Sequence, residues 1–119
     1  MLLEDCILWK APDATVAKGL PAQFALLKTF VKQSHWWRYL LECRCCGQRY
    51  VFEFYEEVDW EGGKDPQFTT WVPVGTDDAV AAVQAAAPGR LGGFIPRLCK
   101  DWPKDQETAR LYWVTGAQI

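Results

Sequence analysis

Apolar residues along this chain recur at two different spacings, and the change between them divides it into elements. In PAQFALLKTFVKQ, residues 21 to 33, Phe24, Leu27 and Val31 fall at helical intervals behind Pro21, a residue tolerated in a first helical turn. The pattern predicts an amphipathic helix. From Ser34 the interval shortens to two. In HWWRYLLEC the odd positions Trp37, Tyr39, Leu41 and Cys43 share one face, while Trp36, Arg38, Leu40 and Glu42 share the other. Aromatic-rich alternation of this kind predicts a strand. Residues Cys45 to Gln48, with Gly47 among them, form the expected turn, and RYVFEFYEEV then alternates again with Tyr50, Phe52, Phe54 and Val58 on one side. The two runs are expected to pair as an antiparallel hairpin.

Farther along, EGGKDP reads as a loop, and FTTWVPV (68 to 74) as a short strand that Pro73 confines to a sheet edge. Thr76, Asp77 and Asp78 supply a cap and first-turn acids for an alanine-rich helix ending near Pro88. Residues 88 to 108 are Pro- and Gly-rich and read as irregular, and ARLYWV (109 to 114) reads as a last strand. The Pro- and Gly-punctuated start carries no predicted element. The expectation is therefore α+β, an antiparallel sheet of about four strands with about two helices. A chain of 119 residues buries roughly two-thirds of its unfolded surface, so a single globular domain over 1–119 is expected.

Composition narrows the partners. Half the residues are hydrophobic, with 7 Trp and 6 Phe, and the formal net charge of −2 gives no general affinity for nucleic acid or an anionic membrane. Glu4 and Asp5 stand where a signal peptide needs positive charge, and no window approaches a spanning helix. A cytoplasmic protein with no membrane partner is expected. The cysteines, Cys6, Cys43, Cys45, Cys46 and Cys99, are odd in number, with three of them in four positions. Reduced thiols fit this better than a disulfide framework.

The thiols also contain the one recognisable chemical motif. Cys43 to Gly47 is a C-x-x-C-G knuckle, able to supply half of a tetrahedral zinc site. Cys6, His35 and Cys99 are single and scattered, so the expectation is no tightly bound metal and no cofactor. A redox dithiol would open a helix, whereas a strand is predicted next. His35 has no nucleophile motif beside it. GRLGG (89 to 93) follows a helix and lacks the Lys-Ser/Thr ending of a phosphate loop, and Asp59, Glu61, Gly63 and Asp65 miss the glycine position and distal Glu of a calcium loop. No catalytic set emerges, so no enzyme is expected.

The remaining feature is charge within the most aromatic segment, FEFYEEVDWEGGKD. With Phe52 and Phe54 toward the core, Glu53, Tyr55 and Glu57 are expected to project outward, and Asp59, Trp60, Glu61 and Asp65 to continue as an acidic loop. With Trp71 as a further aromatic anchor, these eight residues form a candidate surface for a basic protein partner. The alternative is a zinc-knuckle-like adaptor or a nucleic-acid-associated module built on Cys43 and Cys46.

The run CRCCGQRYVFEFYEEVDWEGGKDPQFTTWVPV, with DWPKD at 101 to 105 and YWV at 112 to 114, resembles small bacterial immunity proteins of contact-dependent growth inhibition, a polymorphic toxin system. The resemblance covers about half the chain. It implies a non-enzymatic inhibitor that binds a cognate toxin domain, commonly a nuclease with a basic phosphate-holding cleft. It brings no functional residues with it.

Overall fold

Six antiparallel strands form one sheet in a computed structural model of the chain, which describes residues 6–17, 19–57, 66–102 and 110–115. The strands are β1 (Phe24–Lys32), β2 (Trp36–Cys43), β3 (Arg49–Glu56), β4 (Gln67–Val74), β5 (Arg97–Trp102) and β6 (Arg110–Val114). Each pairs with its successor in a meander. Helical segments are short: α1 (Ile7–Lys10), α2 (Pro12–Ala17), α3 (Leu20–Gln23) and α4 (Asp77–Gln84), with a 3-10 turn at Leu91–Gly93. The α+β class and the antiparallel sheet are as expected, but the described residues form six strands, not four, and four short helices, not two.

The predicted helix over 21 to 33 is instead α3 followed by β1. Its pairing with β2 slips between Leu26 and Lys28 and again between Thr29 and Val31, leaving Leu27 and Phe30 as extra residues. Two such bulges in one strand break the period-two pattern and imitate helical spacing. Residues 97–102, read as irregular, form β5. Leu98 and Cys99 are both buried, so this strand has no alternation to read, and Pro96 and Pro103 beside it resemble breakers. Strand β4 lies inside the sheet, not at its edge. Pro73 is accommodated because pairing with β5 stops at Trp71, so the strand is locally an edge there.

The β2–β3 hairpin has the predicted faces. Tyr39, Leu41, Cys43, Tyr50, Phe52 and Phe54 join a core roofed by Cys6 and by α1 and α2 through Leu8, Trp9 and Val16. Trp9 lies on Trp113 of β6, ring centroids 4.1 Å apart, and Thr15 ties the two helical turns together by donating to the carbonyls of Ala11 and Ile7 at 2.7 and 3.3 Å. The opposite face is also covered. Leu40, Val51, Val72 and Val74 pack under Val80 and Val83 of α4 and under Leu91. Helix α4 starts as predicted, with the Thr76 hydroxyl accepting from the Ala79 N–H at 3.1 Å. Among the described residues no helix is long and apolar enough to cross a membrane.

Candidate functional site

The second covered face changes the predicted partner surface. Glu53 does point away from Phe52, but α4 and the segment after it lie there, and Glu53 is only 2% exposed. Its Oε2 accepts from Nε of Arg38 at 3.1 Å, from Nη2 of Arg38, and from the Trp36 indole at 2.8 Å. Arg38, 1% exposed, also donates to the carbonyls of Gln84, Ala86 and Ala87. The Gln84 carbonyl is one of those left without a partner at the end of α4, those of Ala86 and Ala87 follow in the segment after it, and a cation at a helix C-terminus suits the helix dipole. Glu53 is therefore a buried counter-ion, not a surface residue. Trp71 is corrected likewise: it is 2% exposed on the other face, 5.4 Å from Phe52.

Tyr55 and Glu57 do come together. Tyr55 is half-buried opposite Phe68 in the β3–β4 register, and Glu57 is exposed. With Pro88, Gly89 and Arg90 they line a groove of about 260 Å³. Gly89 has φ of +70°, and a Cβ there would lie 3.0 Å from the Tyr55 ring, so glycine alone lets the backbone approach this closely. Glu56 is occupied, receiving the Gln67 amide at 2.9 Å and lying 2.6 Å from Nδ1 of His35. Asp59, Trp60, Glu61 and Asp65 lie outside the described residues.

The other concentration of chemistry is the thiol knuckle. Cys43 ends β2, and the turn over Arg44–Cys46 closes with the Gly47 N–H donating to the Cys43 carbonyl at 2.9 Å, where Gly47 adopts φ of +79°. The Arg44 N–H donates to the Gln23 carbonyl at 2.9 Å, which ties this turn to α3. Cys6, immediately ahead of α1, enters from the roof of the core. The sulfur atoms of Cys6, Cys43 and Cys46 all lie within 4.8 Å of one another. The premise that Cys6 is scattered from the knuckle is therefore overturned.

Two polar side chains face these sulfurs. The Tyr50 hydroxyl, fully buried, donates to Cys6 Sγ at 3.1 Å, and buried Gln23 donates to Cys43 Sγ at 3.5 Å and to the exposed Cys45 Sγ at 3.4 Å. Burial disfavours a Cys43 thiolate, but the N–H groups of Cys46 and Cys45 and the Gln23 amide outweigh it and lower that thiol from its ordinary value. Cys46 is pushed up to about 12, first by burial and then by its neighbours Cys6 and Cys43. Burial, and then Cys6, also raises the Tyr50 phenol. Cys99 is buried elsewhere, on β5, and burial raises it as well.

Sequence reasoning found the knuckle but missed Cys6, Gln23 and Tyr50. A lone cysteine among apolar residues is the ordinary look of a buried thiol, and nothing local to Cys6 tells it from one that reaches the knuckle. Comparison with family models, curated proteins and solved structures finds no match.

Proposed function

We propose that the chain is a non-enzymatic inhibitor that neutralises a cognate toxin domain with a basic, nucleic-acid-holding cleft. The observation that carries this reading is the groove where Tyr55 and Phe68 stand beside exposed Glu57, at the point where β3 runs into the acidic stretch. A rigid aromatic edge beside a carboxylate suits a cationic protein surface: charge speeds encounter, and buried aromatic area slows release. Arg90 lines the same groove, so the surface presents both signs and selects for a matching arrangement, not for bulk positive charge.

The test is binding to a nuclease toxin domain with a basic cleft, at low and high salt, with each variant checked by thermal melt. Glu57→Lys is expected to lower the association rate and flatten its salt dependence. Tyr55→Ala is expected to speed dissociation. Full-strength binding by both folded variants would move the interface off this groove, and a failure of the wild-type chain to neutralise the toxin would remove the reading.

A further inference from the structure

We propose that Cys6, Cys43 and Cys46 hold a zinc ion in a three-thiolate centre, with the fourth position open to solvent beside half-buried Cys46. Zinc bound to thiolates at about 2.3 Å in tetrahedral geometry holds its sulfurs roughly 3.8 Å apart. Here all three sulfur atoms already lie within 4.8 Å of one another, so side-chain rotation of about 1 Å closes the site. The two-residue spacing of Cys43 and Cys46 and the glycine-permitted turn at Gly47 are the local half of such a centre. Cys6 supplies the non-local third ligand.

The surroundings separate this arrangement from three thiols that merely pack together. A neutral thiol is a weak acceptor, and a buried phenol needs a partner for its O–H. Yet the buried Tyr50 hydroxyl is directed at Cys6 Sγ, and the buried Gln23 amide, which also reaches exposed Cys45 outside the centre, at Cys43 Sγ. Both donors are matched to negative sulfur, as outer-shell groups around a metal thiolate are. Three like charges cannot gather in a core without a cation among them. Soft sulfur ligands in tetrahedral array select zinc over the hard cations magnesium and calcium.

The centre would fasten the start of α1 to the β2–β3 turn and so secure the roof of the core. It does not rest on the proposed partner, since its ligands line the thiol cluster and not the Tyr55 groove.

The experiment is elemental analysis of the full chain, expressed with added zinc and purified under reducing conditions. About one zinc per chain is expected. It should be lost in Cys6→Ser, Cys43→Ser and Cys46→Ser and kept in Cys45→Ser and Cys99→Ser. A wild-type chain without metal, copper or iron in place of zinc, zinc kept in Cys6→Ser, or zinc lost in Cys45→Ser would each overturn the assignment. Because ligand variants can lose metal by unfolding, the wild-type chain is also stripped and titrated with cobalt(II). Thiolate-to-cobalt charge transfer with the intensity of three sulfur ligands is expected, and its absence in the folded chain counts against the site. Tyr50→Phe should keep the metal but weaken its affinity by about 10- to 100-fold, and an unchanged affinity would mean the hydroxyl does not support the thiolate.

Discussion

Glu53 and Glu57 are four residues apart on the same strand-derived row, and their environments assign them opposite roles. Glu53 is buried against Arg38 and Trp36, while Glu57 is exposed. Removing one partner of a buried ion pair leaves the other charge without compensation, so Glu53→Ala should destabilise the protein by about 3–5 kcal/mol in urea denaturation. Arg38→Ala should cost at least as much, because it also strips the carbonyls of Gln84 and Ala86 of the Arg38 donor. The double variant should cost less than the sum, since both changes break one shared network. By contrast Glu57→Lys should stay within about 0.5 kcal/mol of wild type. A tolerated Glu53→Ala would show that the carbonyls of Gln84, Ala86 and Ala87 alone hold the guanidinium. Phe52 is buried between Tyr39 and Trp71, and Phe52→Ala should cost about 3–5 kcal/mol.

Among the elements, α4 depends on both of its ends. Thr76 caps its start, and Thr76→Ala should lower stability by about 1 kcal/mol. Its far end runs into the 88–90 turn, where Gly89 meets the Tyr55 ring. Gly89→Ala adds backbone strain at positive φ to a steric overlap, and a loss of about 1 kcal/mol or more is expected, seen as a lower urea midpoint with unchanged slope. If the variant melts with the wild type, the turn can move away from Tyr55 and the groove is not rigid. Strand β1 shows the reverse relation between pattern and element. Its two bulges are set by pairing with β2, so intrinsic spacing is overridden by a neighbour.

At the scale of the molecule, the sheet is covered on both faces but ends at β1 with Leu26 and Leu27 exposed, at 57% and 47%. Among the described residues β1 pairs on one side only, and an apolar edge of this kind favours edge-to-edge association. Leu26→Lys with Leu27→Lys should therefore raise the concentration at which light scattering begins while leaving the melting temperature nearly unchanged. A marked drop in melting temperature would show that this edge is packed in solution. The thiol cluster is the other whole-molecule link, since it joins the residue ahead of α1 to the β2–β3 hairpin. Chelation of the wild-type chain should lower its melting temperature, and the same treatment should leave Cys43→Ser unaffected.

The sequence by itself determined the α+β class, the β2–β3 hairpin with its two faces, the Thr76 cap and the position of β6, because each follows from period or capping within a few neighbouring residues. Tertiary structure decided the rest. Which face of β3 meets water depended on α4 folding back over it, so Glu53, outward by alternation, became a buried counter-ion. That β1 is a strand depended on bulges imposed by its partner, and that residues 97–102 form β5 depended on burial of both sides of that strand. The thiol cluster was half legible: the spacing of Cys43 and Cys46 is local, but the third sulfur and the two donors come from residues distant in the chain. Sequence patterns carry information about neighbours along the chain, whereas a site of this kind is made by neighbours in space, and only the closing of α1 and α3 against the sheet brings Cys6, Gln23 and Tyr50 to one point.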